Sequence, residues 1–188
     1  IAVIAGIVAD YPDIPLVVDP VLASGRGDEL ADEEMIAGLR QRLMPLTTIL
    51  TPNSLEARRL AQGDDGDDRQ RTLADCAQRL LDFGCGHVLL TGTHDDTERV
   101  VNSLYCRRIG WLRSDPWERL PGSYHGSGCT LASAIAAYLA LGLAVEQAVR
   151  VAQEYTWQSL AAGFRPGKGQ FIPDRFFRTR AGDGVADG

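Results

Sequence analysis

The sequence predicts an α/β protein whose central sheet is mostly parallel and carries an antiparallel hairpin near its C-terminal half. Three apolar runs, at residues 16–18, 48–51 and 86–92, are typical of strands buried on both faces. Helical patterns separate these runs, and this alternation is the order of a parallel sheet. Two further β-type segments, 99–106 and 111–117, flank a short turn and predict the hairpin.

The composition predicts one globular domain over residues 1–188 with a sizeable core, because 45% of the 188 residues are hydrophobic. The Gly- and Asp-rich residues 181–188 are expected to form a flexible tail. Lys and Arg total 19 against 25 Asp and Glu, which gives a net charge of −6. A chain of this charge has no general affinity for nucleic acid or anionic membranes, so local groups must hold any anionic ligand.

The cysteines predict reduced thiols in a cytoplasmic protein. Cys76, Cys85, Cys106 and Cys129 show neither a CxxC spacing nor a pairing pattern, which argues against a disulfide frame or a zinc site. The apolar residues 1–9 are too short for a membrane span and lack the basic leader of a signal peptide.

The first predicted strand ends in an acidic residue. Residues 1–11 resemble the end of a helix that Pro12 and Pro15 stop, and the strand at 16–18 leads into Asp19. The carboxyl end of a parallel strand lies at the edge where open α/β sheets bind ligands, so Asp19 is a candidate metal or phosphate ligand. From position alone, a turn or helix cap is an equal alternative.

The second predicted strand leads into another polar pair. A loop at 21–28 and a helix from residue 32 to about residue 44 precede this strand, and a helix at 54–60 follows it. Asn53 and Glu56 have the spacing of a capping box. The functional alternative places both at the same sheet edge as Asp19, where their oxygens would hold hydrated Mg²⁺.

The remaining elements complete the α/β pattern. The acidic residues 63–68 predict a solvated connector, and residues 71–83 predict an amphipathic helix. The third strand ends at Thr91-Gly92, so Thr91 falls at the same predicted edge. A last amphipathic helix is predicted at 144–162.

A glycine loop that leads into an Ala- and Leu-rich helix is the strongest candidate site. Gly126 and Gly128 flank Ser127, which favours a sharp turn and a close backbone approach to a ligand. The unpaired N–H groups and the dipole at a helix N-terminus stabilise a phosphate, and the same field favours the thiolate of Cys129. The alternative is a buried helix that follows a glycine turn, with Cys129 as a small core residue.

Three separated motifs together carry a family resemblance: Asp19-Pro20-Val21, Thr51-Pro52-Asn53-Ser54-Leu55-Glu56 and Tyr124-His125-Gly126-Ser127-Gly128-Cys129-Thr130-Leu131. They closely resemble the hydroxymethylpyrimidine/phosphomethylpyrimidine kinases of thiamine biosynthesis, and the resemblance extends to about Pro173. It implies a ribokinase-like three-layer α/β/α fold and a phosphotransferase that uses ATP and Mg²⁺. The implied substrates are 4-amino-5-hydroxymethyl-2-methylpyrimidine and then its monophosphate, and the family commonly forms homodimers.

The resemblance also implies roles for individual residues. Gly126, Ser127 and Gly128 correspond to the backbone anion hole, and Cys129 stands where many sugar kinases of the superfamily carry an Asp base. Asp19, Asn53 and Glu56 correspond to residues that support Mg²⁺ and the ATP phosphates. Among the positions expected to bind nucleotide we include Asn53, Glu56, Thr91, Gly126 and Gly128.

Two departures from the family pattern affect these expectations. Many relatives have a Lys-Gly-Gly-His run where this chain has Thr91-Gly92-Thr93-His94, so one positive charge is missing from the expected phosphate site. Lys168, the only lysine, is a candidate replacement, although a surface lysine in a loop is the simpler interpretation. Family chains begin upstream of residue 1, so we expect an N-terminally incomplete kinase domain without much of the pyrimidine pocket. A pyridoxal-type kinase and a non-catalytic nucleotide or precursor binder remain alternatives.

Overall fold

The structure, a computed structural model, describes residues 1–23, 29–62, 71–93 and 97–182. Within it the chain divides into two units, Ile1–Arg119 and Leu120–Gly188. The predicted acidic connector at 63–68 and residues 183–188 of the predicted tail lie outside the described residues. The expectation of a single kinase domain stays a prediction.

The first unit contains a mixed five-stranded sheet in the order β1-β2-β3-β4-β5. The first three strands pair in parallel, while β4 runs antiparallel to both of its neighbours, so four of the five strands point in one direction. The mostly parallel sheet and the appended hairpin are therefore confirmed. The bounds are β1 Val17–Val18, β2 Ile49–Leu50, β3 His87–Leu90, β4 Arg99–Cys106 and β5 Gly110–Glu118.

Four α-helices accompany this sheet: α1 Ala2–Ala9, α2 Glu33–Gly38, α3 Ser54–Ala61 and α4 Leu73–Asp82. The sequence predicted one helix from residue 32 to about residue 44, but α2 continues as a π-helical turn, Leu39–Leu43, and a 3₁₀ turn, Met44–Leu46. The apolar spacing of a single turn does not distinguish these hydrogen-bond patterns. Among the described residues, no helix is both long and apolar enough to span a membrane.

Side-chain caps fix the starts of α2, α3 and α4 in the first unit. The Asp32 carboxylate accepts a hydrogen bond from the Met35 N–H at 2.8 Å at the start of α2. Thr72 and Asp75 form a reciprocal capping box at the start of α4. Such caps satisfy N–H groups that the helix itself leaves unpaired.

The core of the first unit lies between helices and the parallel strands. Leu60 of α3 and Leu80 of α4 are fully buried in one apolar cluster with Leu50 of β2 and Val88 of β3. Burial of each such side chain contributes about 1.5–3 kcal/mol, which offsets the conformational entropy lost on folding. This packing holds the short parallel strands in place.

The second unit is built on two long helices that pack against each other, α5 Ser127–Ala140 and α6 Val145–Ala161. Ile135 of α5 and Val149 of α6 are fully buried. A short helix, α7 Phe177–Gly182, ends the described chain. The segment before α5 is fixed by a parallel bridge from Tyr124 to Phe171, whose ring centroids are 5.5 Å apart.

We expect Leu80→Ala to lower the free energy of unfolding by about 2–5 kcal/mol, because it leaves a cavity among fully buried side chains. Leu55→Ala is the matched control, since the Leu55 side chain is 64% exposed and its removal leaves no cavity. Urea-induced unfolding measures both variants. Equal losses for the two variants would contradict the assignment of the core.

Candidate functional site

The carboxyl ends of the three parallel strands lie side by side in the first unit. The Thr51 N–H donates to the Val18 carbonyl at 3.0 Å, and the Thr91 N–H donates to the Pro52 carbonyl at 2.9 Å. A parallel bridge pairs Asn53 with Thr91. The parallel register therefore places the residues that follow β1, β2 and β3 at one edge of the sheet.

Asp19 follows β1 at this edge and is half-buried. The buried Thr51 hydroxyl donates a hydrogen bond to Asp19 Oδ1 at 3.2 Å. Burial raises the pKa of the Asp19 carboxyl above its usual value of 3.8, and the Thr51 hydrogen bond opposes only part of that effect. A desolvated carboxylate of this kind gains from a nearby cation.

Asn53 and Glu56 form the capping box of α3. Asn53 Oδ1 accepts from the N–H groups of Leu55 and Glu56 at 3.0 and 2.9 Å, and Glu56 Oε2 accepts from the Asn53 N–H at 2.9 Å. The capping interpretation is thus confirmed as structure, while a ligand-binding role for the pair stays a prediction. Burial, followed by the charge of Asp19, raises the pKa of Glu56, and backbone hydrogen bonds from Asn53 and Leu22 act against it.

Thr91 is held at the edge by a close approach of two strands. A Cβ on Gly92 would lie 2.3 Å from the Val101 carbonyl oxygen, so only glycine fits beside β4. The Gly92 N–H also donates to Asn102 Oδ1 at 3.1 Å. This pairing positions Thr91, whereas His94 lies outside the described residues.

The glycine loop in the second unit leads directly into α5. Gly126 is the N-cap residue and has a left-handed φ of 88°, which an L side chain rarely adopts. Gly128 is already the second residue of the helix, so the turn rests on Gly126 and not on both glycines. The first backbone bond of α5 runs from the Thr130 N–H to the Gly126 carbonyl at 3.0 Å.

The start of α5 leaves three N–H groups without a helical acceptor. They belong to Ser127, Gly128 and Cys129, and no side chain caps them. The Cys129 side chain is exposed in this first turn, which excludes the alternative of a buried core cysteine. Partial positive charge and free donors therefore coincide with an accessible thiol.

Comparison with known proteins decides the family. A family model described as phosphomethylpyrimidine kinase matches residues 1–174, which include both groups of candidate residues. The chain belongs to this family. The hydroxymethylpyrimidine/phosphomethylpyrimidine kinase of Streptomyces coelicolor is 39% identical over 160 residues, which are 84% of this chain and 57% of that protein. The chain therefore spans less than two thirds of the length of this curated kinase.

Solved structures of related kinases share the fold. A phosphomethylpyrimidine kinase from Clostridium difficile 630 matches with a TM-score of 0.62 and 32% identity, over 81% of this chain and 60% of that one. Pyridoxal kinase from Bacillus subtilis, solved as an ADP complex, matches with a TM-score of 0.70 and 25% identity, over 94% of this chain and 67% of that one. The ribokinase-like α/β fold expected from the sequence is confirmed.

The chemistry of the sheet edge in this kinase-family chain fits hydrated Mg²⁺. Mg²⁺ keeps several waters and takes one or two carboxylates together with substrate phosphates. Asp19 and Glu56 supply two such carboxylates, and each is raised in pKa by burial that a cation would offset. The described residues contain no group of three or more His, Cys, Asp or Glu that could enclose a metal by protein ligands alone.

Two residues near these groups were missed by the sequence analysis. Thr51 lies within a recognised motif, but its spacing gave no reason to expect the hydrogen bond to Asp19. Arg175 lies 45 positions from Thr130, and its Nε donates to Thr130 Oγ1 at 3.0 Å beside the glycine loop. No local pattern predicts a contact at that separation.

Lys168, the predicted replacement for the missing lysine, lies in an exposed loop of the second unit. It lines a cavity of about 350 Å³ together with Ser123, Arg165, Gln170 and Phe171. Its backbone carbonyl accepts a 3.5 Å hydrogen bond from Arg165 Nη2. A phosphate-binding role for Lys168 stays a prediction.

We expect Asp19→Asn to raise the free energy of unfolding at neutral pH, because the variant removes a buried charge and keeps an acceptor for Thr51. The pKa of Asp19 is higher in the folded state than in the unfolded state. At pH values between these two pKa values, the folded protein therefore binds more protons than the unfolded chain. The contribution of Asp19 to wild-type stability therefore falls as the pH rises from about 3.8 through the folded-state pKa, and the gain of the variant grows over that interval. Urea unfolding at a series of pH values measures it.

The exposed capping residue Asp75 provides a control in which the change in stability should have the opposite sign. Hydrogen bonds from Thr72 lower the pKa of Asp75, so its contribution to stability is present above pH 3.8 and is lost as the pH falls through the folded-state pKa. Asp75→Asn should therefore lower stability at neutral pH. A pH-independent effect of Asp19→Asn would contradict the burial of its charge.

We expect Gly126→Ala to lower both stability and phosphate binding. Its φ of 88° strains an alanine by about 1 kcal/mol, and the new Cβ would lie 3.1 Å from Arg175 Nη2. Gly142→Ala is the matched control, because Gly142 has a φ of 86° and open space around its Cβ position. Thermal unfolding should show similar losses for both, and calorimetric titration with a non-hydrolysable ATP analogue should show weaker binding for Gly126→Ala alone. Equal binding by the two variants would count against the loop as a phosphate site.

Proposed function

We propose that this chain is part of an ATP-dependent kinase of thiamine biosynthesis. Its substrates are 4-amino-5-hydroxymethyl-2-methylpyrimidine and then the resulting monophosphate, which becomes the diphosphate. The observation that carries the proposal is the uncapped first turn of α5, with its free N–H groups and exposed Cys129, inside the segment that matches the family. A homodimer is part of the proposal, supported by the exposed apolar side chains of α1.

The first transfer joins the substrate hydroxymethyl oxygen to the γ-phosphorus of ATP. The bond from that phosphorus to the β,γ-bridging oxygen breaks, and its electron pair leaves with ADP. The hydroxyl proton passes to Sγ of Cys129, the proposed acceptor in the first turn of α5. In the second transfer an ionised phosphate oxygen of the monophosphate attacks, so that step needs no proton acceptor.

The N–H groups of Ser127, Gly128 and Cys129 stabilise the charge on the transferring phosphoryl group. They are fixed by the helix before substrate arrives, so little reorganisation accompanies the reaction. General-base catalysis accelerates a loose phosphoryl-transfer transition state only slightly. The positioned N–H donors therefore contribute more to the rate than the thiol.

The sheet edge of the first unit is the proposed metal site. Asp19 and Glu56 would hold the water shell of Mg²⁺, and when bound this ion supplies positive charge to the ATP phosphates. Asn53 and Thr91 lie at the same edge and add polar groups for the nucleotide. The burial that raises the pKa of both carboxyls supports this assignment, because a bound cation would offset it.

A pyridoxal-type kinase is the second candidate function. The likeness to Bacillus subtilis pyridoxal kinase over 94% of this chain favours it. Both substrates are aromatic rings that carry a hydroxymethyl group, so the same phosphate chemistry serves either one. The identity of the product separates the two candidates.

We expect Cys129→Ala to slow the first phosphorylation by about tenfold to a hundredfold and to leave the second nearly unchanged, because only the first attacking group carries a proton. Separate assays with the hydroxymethylpyrimidine and with its monophosphate, followed by mass spectrometry of the products, measure this. Cys106→Ala is the control, since Cys106 lies in β4. Equal slowing of both steps would remove Cys129 from proton transfer.

The same assays test the proposed function itself. Wild-type protein with Mg²⁺ and ATP should convert the hydroxymethylpyrimidine to the diphosphate in two steps. Transfer to pyridoxal alone would favour the second candidate. Nucleotide binding without any product would contradict both candidates and support a non-catalytic binder.

A further inference from the structure

A cation stands beside the glycine loop of the second unit. In the second unit, Arg175 Nη2 lies 3.1 Å from the position that a Cβ on Gly126 would occupy. The guanidinium group therefore lies against the residue that caps α5.

One edge of the Arg175 side chain is fixed by a relay of hydrogen bonds. Arg175 Nε donates to Thr130 Oγ1 at 3.0 Å, and Thr130 Oγ1 donates to the Gly126 carbonyl at 2.7 Å. Thr130 is buried in the first turn of α5. The relay orients the guanidinium plane relative to the free N–H groups of that turn.

The backbone around Arg175 is anchored on α6. The Tyr155 hydroxyl donates to the Arg175 carbonyl at 2.8 Å, and the Asp174 N–H donates to the Ser159 carbonyl at 2.8 Å. Ser159 and Asp174 are both buried. The side chain thus extends from a fixed point, which reduces the conformational entropy lost when it binds a ligand.

The terminal nitrogens of Arg175 are available to a ligand. Over the described ranges, Nε makes the one hydrogen bond found for this side chain, and neither Nη1 nor Nη2 has a hydrogen bond or a carboxylate partner. A guanidinium group presents donors in a planar fork that matches two phosphate oxygens. The exposed Arg175 side chain therefore places free donors beside Gly126, the N-cap residue of α5, whose first turn has no side-chain cap.

Two other arginines of the second unit, Arg165 and Arg178, are engaged elsewhere. Arg178 donates to Gln158 Oε1 at 3.4 Å and lies over the rings of Tyr155 and Phe177. Arg165 donates to the Gly169 carbonyl at 2.7 Å and lies over the Phe171 ring. Arg175 is the cation that the structure shows in contact with the cap of α5.

We propose that Arg175 is a phosphate-binding residue of this kinase and supplies positive charge beside the start of α5. Nη1 and Nη2 bind two oxygens of the terminal phosphoryl group while the N–H groups of Ser127, Gly128 and Cys129 bind from the helix side. The inference deepens the proposed function and rests on it. Since negative charge spreads over these oxygens during transfer, the contact strengthens in the transition state.

The test compares Arg175→Gln and Arg175→Lys with the control Arg178→Gln. Arg175→Gln should lower kcat by about a hundredfold and weaken binding of a non-hydrolysable ATP analogue by about tenfold to a hundredfold. Arg175→Lys should recover part of both losses, because it keeps the charge without the fork. Arg178→Gln should change neither quantity by more than about twofold.

Two further readouts separate phosphate binding from a structural role. Calorimetric titration with inorganic phosphate reports on the site without turnover, and thermal unfolding without ligand should be nearly the same for Arg175→Gln and Arg178→Gln. Added guanidinium ion should restore part of the turnover of Arg175→Ala, which loss of a structural contact would not allow. Normal kcat and normal phosphate binding in Arg175→Gln would overturn the proposal, as would equal losses in Arg178→Gln.

Failure of the proposed function would give a different result. If the wild-type protein phosphorylates none of the three substrates but binds inorganic phosphate in a manner that requires Arg175, the assignment of Arg175 stands and the assigned substrates are wrong. If turnover is normal in wild type and in Arg175→Gln, the function stands and the inference about Arg175 is wrong.

Discussion

Parallel pairing of three very short strands organises the first unit. β1 and β2 have two residues each, yet their register brings the residues after β1, β2 and β3 to one edge. The carboxyl ends of parallel strands lie on the same side of a sheet. The Asp19 carboxylate, the capping box of Asn53 and Glu56, and Thr91 therefore lie at one edge although they are far apart in the sequence. Leu50 and Val88 in the strands are fully buried, so the apolar core fixes the register on which this edge depends.

The two groups of candidate residues, one in each unit, would bind their ligands by different physical effects. At the sheet edge, partial burial makes the carboxylates of Asp19 and Glu56 harder to ionise, and a bound cation would recover that free energy. At the start of α5, the backbone itself offers positive charge, and a left-handed Gly126 leaves the first turn without a side-chain cap. Phosphoryl transfer needs both a cation and fixed donors, and the segment that matches the family model includes both groups of residues.

Much of the fold follows from the sequence because its signals are local. Apolar runs bounded by turn residues predicted the parallel strands. Two β-type segments on either side of the turn at 107–110 predicted the hairpin, whose second strand extends to Glu118 in the structure. The π-helical turn at Leu39–Leu43 was missed, because one turn of apolar spacing does not distinguish hydrogen-bond patterns. Asn53 and Glu56 were recognised both as a cap and as candidate ligands, and their sequence spacing cannot separate these roles.

Contacts that depend on tertiary structure were not predictable. The Thr51 hydrogen bond to Asp19 requires two adjacent strands, and the Arg175 contact with Thr130 joins residues 45 positions apart. The sequence also treated Gly126 and Gly128 alike, whereas only Gly126 has a positive φ. Its conformation becomes evident once the helix start is known to be Ser127.

The most direct test of the account is a backbone-amide NMR titration with a non-hydrolysable ATP analogue and Mg²⁺. The account predicts large chemical-shift changes at the amides of Ser127, Gly128 and Cys129. The amides of Val145 and Glu146 serve as the internal control, because α6 also begins without a side-chain cap. Shifts at the start of α5 alone would support selective phosphate binding there, and equal shifts at both helix starts, or none at α5, would contradict it.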